Sequence, residues 1–105
     1  HDRFTRMPHA KKVVLIAESG SLLKRDELLQ ELFDDRIELF CAVGMDAQEW
    51  EDLMDWVCVM AEVDHGIDHL VLTTSHATDS LDEVMELARQ ISVPSGATEI
   101  EVIRV

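Results

Sequence analysis

Basic residues are scarce in this chain: nine Lys and Arg stand against 22 Asp and Glu, a net charge of −13. Phosphate backbones repel such a chain, which argues against nucleic-acid binding. Anionic membrane surfaces are disfavoured for the same reason. The acidity itself serves either solubility or an acidic face that meets a basic partner. Proline and glycine are also few, two and four in 105 residues, a globular rather than a disordered composition with no low-complexity segment. No apolar run approaches the length of a membrane span. No stretch has the charged start, apolar middle and small-residue cleavage site of a secretory leader.

Only two cysteines are present, Cys41 and Cys58, too few for a disulfide framework. Each is flanked by apolar residues, so both read as small buried hydrophobes with reduced thiols, and the expected location is the cytoplasm. Glycine-rich phosphate loops are missing. The segment Glu18-Ser19-Gly20-Ser21-Leu22 has neither the further glycines nor the Lys-Ser/Thr pair that cradles phosphates. Cys-x-x-Cys is missing too, which excludes thioredoxin-like redox chemistry. A phosphoacceptor domain wants an acidic pair after the first strand and an aspartate ending the third; here Glu18 stands alone, and Thr73-Thr74-Ser75 ends the third. His65 and His69 have the spacing of a helical metal pair, but Gly66 breaks the helix between them. No metal and no cofactor is expected.

What is present is a strong alternation of strand and helix patterns. Residues 1–10 have no periodicity and read as a flexible lead-in. The single domain then fills 11–105. A continuous β-branched run at 13–17 suits a strand buried on both faces. A helix follows over 22–35, with Ser21 as its N-cap and Leu22, Leu29, Leu32 and Phe33 on one stripe. The second strand covers 37–43, and Gly44 permits the tight exit. Asp46 and Glu49 then form a capping-box pattern for a long helix over 47–64. Its inner stripe is Trp50, Leu53, Met54, Val57, Met60 and Ala61. The third strand is placed at 69–74. Ser80 caps a third helix over 81–91, and a fourth strand at 99–105 has the mixed pattern of an edge.

The order βαβαβαβ implies an α/β fold. We expect three layers, α/β/α, around a four-stranded mostly parallel sheet of order 2-1-3-4, flavodoxin-like or Rossmann-like. In such sheets ligands bind beyond the carboxyl ends of the strands, where the strand order reverses. For this order that point lies between strands one and three. Strand one would bring Glu18, Ser19 and Ser21 to it, strand three Thr74, Ser75, His76, Thr78 and Asp79, and strand two Asp46. These polar residues are either a small-molecule or hydrolytic site or simply caps and loop polarity. A hydrolytic site would use Ser75 or Ser19 as nucleophile, His76 as base and Glu18 or Asp46 to orient it, although no Gly-x-Ser-x-Gly elbow surrounds either serine.

The long helix offers a second candidate. Its outer face is acidic, with Gln48, Glu51, Asp52, Asp55 and Glu62. Val59 falls in the middle of that face and Trp56 at its edge. An exposed tryptophan beside an exposed valine is the mark of a contact surface, with Trp56, Val59, Asp52 and Asp55 as the interface residues and a homodimer or another protein as the partner.

The central unit also carries a resemblance. Cys41-Ala42-Val43-Gly44-Met45-Asp46, then Trp50-Glu51-Asp52 and Asp55, then Leu72-Thr73-Thr74-Ser75-His76 and Ser80-Leu81-Asp82-Glu83-Val84 resemble a family of small uncharacterised bacterial proteins. That family has a strand ending in Gly-x-Asp, a Trp-x-Asp helix and a Thr-Thr-x-His turn before a Glu-rich helix. The resemblance runs from Lys12 onward. It implies no activity, but it directs attention to Asp46, Trp50, Asp55, Thr74 and His76.

Overall fold

In the computed structural model the described residues are 7–18 and 24–105. Four strands and three helices alternate along the chain. They are β1 (Lys12–Ala17), α1 (Arg25–Asp34), β2 (Leu39–Gly44), α2 (Ala47–His65), β3 (Leu72–His76), α3 (Leu81–Gln90) and β4 (Ile100–Arg104). All three strand pairings are parallel, so the expected α/β class is observed.

The strand order is β3-β2-β1-β4, which corrects the expected 2-1-3-4. Burial explains the difference. The central places go to the two strands whose side chains are almost all buried: Lys12 to Ile16 in β1 and Leu39 to Val43 in β2. The third strand expected at 69–74 contains the apolar run 70–72, but Leu70 and Leu72 are exposed. The pairing segment is Leu-Thr-Thr-Ser-His, three residues later than expected, and a strand of that composition belongs at an edge.

This order decides where the helices lie. The steps β1 to β2 and β2 to β3 run in the same direction, so right-handed crossovers put α1 and α2 on one face. The return from β3 to β4 puts α3 on the other. Two apolar layers result. Val13, Leu15, Phe40 and Ala42 of the sheet meet Leu29, Leu32 and Phe33 of α1 and Trp50, Met54 and Cys58 of α2. Val14, Ile16, Leu39, Cys41 and Val43 meet Val84 and Ala88 of α3.

Helix ends are secured in different ways. Ser80 and Glu83 form a full capping box at the start of α3. At its other end the buried Lys12 ammonium donates to the Ala88 carbonyl at 2.7 Å, satisfying one of the acceptors that a helix C-terminus leaves open. At the start of α2 the expected box does not form. Asp46 makes no side-chain cap bond, and Glu49 instead pairs with Arg25 at 3.1 Å. Gly66 closes α2 in the left-handed conformation at φ 66°. The expected Ser21 cap and Leu22 lie outside the described residues, and the described helix begins at Arg25.

Gly44 has the tightest backbone requirement. At φ 119° it lies against β1, and a Cβ there would sit 2.5 Å from the Ala17 carbonyl oxygen. Ahead of the sheet, His9 and Ala10 are tied to the body. The His9 ring lies between Glu31 of α1 and Glu101 of β4, and Ala10 N–H donates to Glu101 at 2.9 Å.

Candidate functional site

The two groups of strand-end residues do not meet. With β2 between them, β1 and β3 are two strand spacings apart, about 10 Å. Glu18 turns to the other side and pairs with Arg104 of β4 at 2.6 Å. Its backbone N–H donates to the Val105 carbonyl at 3.0 Å. Ser19 lies outside the described residues. Asp46 stays at the start of α2. Ser75 points to the α2 side, where its hydroxyl donates to Gln48 at 3.1 Å.

Thr74 and His76 do come together, because residues two apart on a strand share a face. The His76 Nδ1 contacts Asp79 at 2.8 Å and Nε2 contacts the Thr74 hydroxyl at 2.8 Å. A carboxylate only accepts, so Nδ1 carries a proton and Nε2 faces the hydroxyl. Chemically this is a hydroxyl–imidazole–carboxylate chain, with Asp79 and not Glu18 or Asp46 as the orienting acid, and Thr74 and not Ser75 as the hydroxyl. All three residues lie within one strand end and its turn.

The other candidate lies on α2. Trp50 is 2 % exposed, stacks beneath the Arg25 guanidinium and is part of the core. Trp56 is 59 % exposed, Val59 49 % and Val63 71 %. The spacing i, i+3, i+7 places these three on one helix face, a ridge of apolar side chains in water. Leu70, 80 % exposed, stands beside it. The buried stripe behind the ridge is Ala47, Trp50, Met54, Cys58 and Ala61, with Leu53 and Val57 packed against it. Cys58 thus replaces the expected Met60, which borders a groove.

Grooves flank the ridge on both sides. One of about 460 Å³ runs between α2 and the segment entering β3, lined by Asp55, Val59, Glu62, Ile67, Asp68 and Leu70 among others. The other, about 310 Å³, lies toward α1 and includes Gln30, Trp56, Met60 and Asp64. The acidic residues near the ridge divide into two sets. Glu51, Asp52 and Asp55 are occupied: Gln48 donates to the first two, and the Thr73 hydroxyl donates to Asp55 at 2.8 Å. Glu62, Asp64 and Asp68 have no side-chain hydrogen bond or ion pair among the described residues.

The charge is also unevenly distributed along the sequence. No Lys or Arg occurs between Ile37 and Ala88, whereas 13 of the 22 acidic residues do. The nine remaining acidic residues are matched by the nine basic ones. The whole net charge therefore belongs to β2, α2, β3 and most of α3, the middle half of the chain. Of those 13 carboxylates, only Glu49 and Glu86 pair with an arginine among the described residues.

Both cysteines are buried and unpaired by disulfide, and burial pushes both thiols up, away from reactive thiolate. His65 ends α2, while the His69 ring donates to the Ile37 carbonyl at 2.8 Å, so the two do not face a common point. Among the described residues no group of three or more His, Cys, Asp or Glu side chains is arranged to hold a metal ion. No helix among them is long and apolar enough to cross a membrane.

Fold and surface together define a small, all-parallel α/β domain with an apolar ridge on its most acidic helix. The chain belongs to the family described as a Domain of unknown function, DUF7684, whose model matches residues 2–104. No curated protein and no solved structure matches it.

Proposed function

We propose that this domain is a non-catalytic interaction module and that it binds a protein through the Trp56, Val59 and Val63 face of α2. The observation that carries this reading is the exposed ridge itself. Three large apolar side chains are exposed on one helix face, and a fourth, Leu70, lines the same groove as Val59. Tryptophan is the side chain most enriched among residues that dominate binding energy. Asp52 and Asp55 lie at the ridge as rim residues. Covering the four side chains would contribute on the order of 1–2 kcal/mol each. Association costs about 4–15 kcal/mol in lost freedom, so the ridge needs complementary contacts around it.

Those contacts weigh against a second copy of this chain. A two-fold contact through the ridge would bring two halves, each bearing the full net charge, against one another. A different protein avoids that repulsion. The acidity and the two unpaired cysteines suit a cytoplasmic setting.

Photo-crosslinking tests this reading. A benzoyl-phenylalanine replacing Val59, expressed in cells of the source organism, is expected to give one discrete adduct with another protein. Trp56→Ala added to that chain should remove it, and the same probe at Glu83 on α3 should not produce it. Equal labelling from both positions, or an adduct consisting only of this chain, would refute the reading.

A second reading rests on the Thr74–His76–Asp79 chain, as a small-molecule or hydrolytic site at the strand ends. Its support is the pair of 2.8 Å contacts to His76. It ranks below the first because both partners are within three residues of the histidine, where strand and turn geometry alone brings them together. A hydrolytic role requires ester or phosphoester turnover that His76→Ala abolishes and Trp56→Ala leaves intact.

A further inference from the structure

The groove between α2 and the segment entering β3 has an apolar floor and an acidic rim. Cys58 and Ile67 provide the floor, the exposed Val59 and Leu70 its apolar sides, and Asp55, Glu62 and Asp68 the rim. Asp55, Val59 and Glu62 follow one another at i, i+4 and i+7, so the two carboxylates are two helical turns apart, about 10 Å, with the valine between them. Two of the three rim carboxylates, Glu62 and Asp68, have no partner among the described residues, and Asp55 has only the Thr73 hydroxyl. No Lys or Arg lines it, and its one histidine, His69, is turned to the Ile37 carbonyl; the nearest Lys or Arg in sequence are Arg36 and Arg89. Arg36 is turned to the Phe33 ring and carbonyl, and Arg89 to Glu86.

We propose that this groove receives a basic, amphipathic segment of a partner protein, with a Lys or Arg side chain lying along it. This rests on the interaction reading above and names the chemistry of the partner. The methylene stem of such a side chain covers the apolar floor while its charged end reaches the carboxylates, the division of labour that long cationic side chains adopt at water-exposed apolar surfaces. Apolar residues two helical turns apart on the same segment cover Trp56 and Val63. Charge complementarity excludes an acidic segment and disfavours a second copy of a chain whose other half is electrically neutral.

The test uses the full chain labelled with 5-fluorotryptophan. Its two tryptophans give two fluorine resonances, one from core Trp50 and one from exposed Trp56, assigned with Trp56→Phe. Two 18-residue amphipathic peptides of identical apolar pattern are titrated, one Leu/Lys and one Leu/Glu. The Leu/Lys peptide is expected to shift the Trp56 resonance and leave Trp50 nearly unmoved, with affinity falling at least tenfold between 50 and 500 mM salt. The Asp55→Asn/Glu62→Gln/Asp68→Asn variant should lose at least tenfold in affinity. A variant equal in charge but altered elsewhere, Asp46→Asn/Asp82→Asn/Glu86→Gln, should lose less than threefold.

If both triple variants weaken binding equally, the attraction is general acidity and the groove proposal is overturned. If the Leu/Glu peptide shifts Trp56 as well as Leu/Lys does, the ridge binds proteins but not by charge, so this proposal fails while the interaction reading stands. If neither peptide moves Trp56 at millimolar concentration, both fail.

Discussion

At the scale of single residues, two positions make the sharpest demands. Gly44 combines a positive φ with an approach to β1 that leaves no room for a methyl group. The obstacle is a backbone carbonyl in the central strand, which cannot swing aside. Gly44→Ala is therefore expected to destabilise the domain by about 1–3 kcal/mol, measured by urea denaturation, whereas an unstrained glycine would show a change near zero or a gain. His9 is held differently. Both ring nitrogens face carboxylates, which only accept, so both carry protons and the ring is an imidazolium. Burial alone would lower its pKa, but the hydrogen bonds and charges of Glu31 and Glu101 outweigh it, and the net shift is upward from 6.5. A raised folded value stabilises the protein below the unfolded pKa, and that stability is lost as pH rises through the folded value. The stability gap between wild type and His9→Gln should thus be widest near pH 6 and shrink toward pH 9. A gap that grows with pH would contradict the imidazolium. Residues 1–10 lack periodicity. A lone histidine clamped by carboxylates distant in sequence leaves no local pattern to detect.

Among elements, α2 carries most of the argument. Its apolar residues are too numerous for one face: Trp50 belongs to the core and Trp56 to the surface, six residues apart on the same helix. That division was legible from 100° spacing alone. Trp50→Ala is expected to cost about 3–5 kcal/mol in unfolding free energy, as for other large-to-small core changes. Trp56→Ala should stay within about 0.5 kcal/mol of wild type. Comparable losses at both positions would place Trp56 in the core and remove the exposed ridge. The strand order was less legible, although its signal was present. Val-Val-Leu-Ile and Leu-Phe-Cys-Ala-Val can only be central, and Leu-Thr-Thr-Ser-His suits an edge. The apolar letters at 70–72 obscure this, because Val71 enters the core while its neighbours Leu70 and Leu72 face water. The displaced order then moved the expected site. The residues around Glu18 and those around His76 lie at the same end of the sheet but with β2 between them, and no reading of spacing could join or separate them without that order. Asp46 shows a related limit: a capping-box pattern is satisfied only if Glu49 is free, and here Arg25 engages it.

For the whole molecule, charge is the organising quantity. A domain with its entire net charge on one half repels itself when folded, and the repulsion is screened by salt. The melting temperature is therefore expected to rise by a few degrees between 10 and 300 mM sodium chloride, and a fall over that range would mean that the ion pairs of the neutral half dominate. The same asymmetry gives the ridge its expected partner. Trp56, Val59 and Val63 lie within the uncompensated half, so whatever covers them also meets carboxylates. Peptide-level mass spectrometry of the Val59 crosslink tests this most directly, because it reads the sequence of the contacted segment. The account predicts a segment of a different protein, net positive, with at least two large apolar residues at helical spacing. A contact segment from this same chain, or one with a net negative charge, would contradict it.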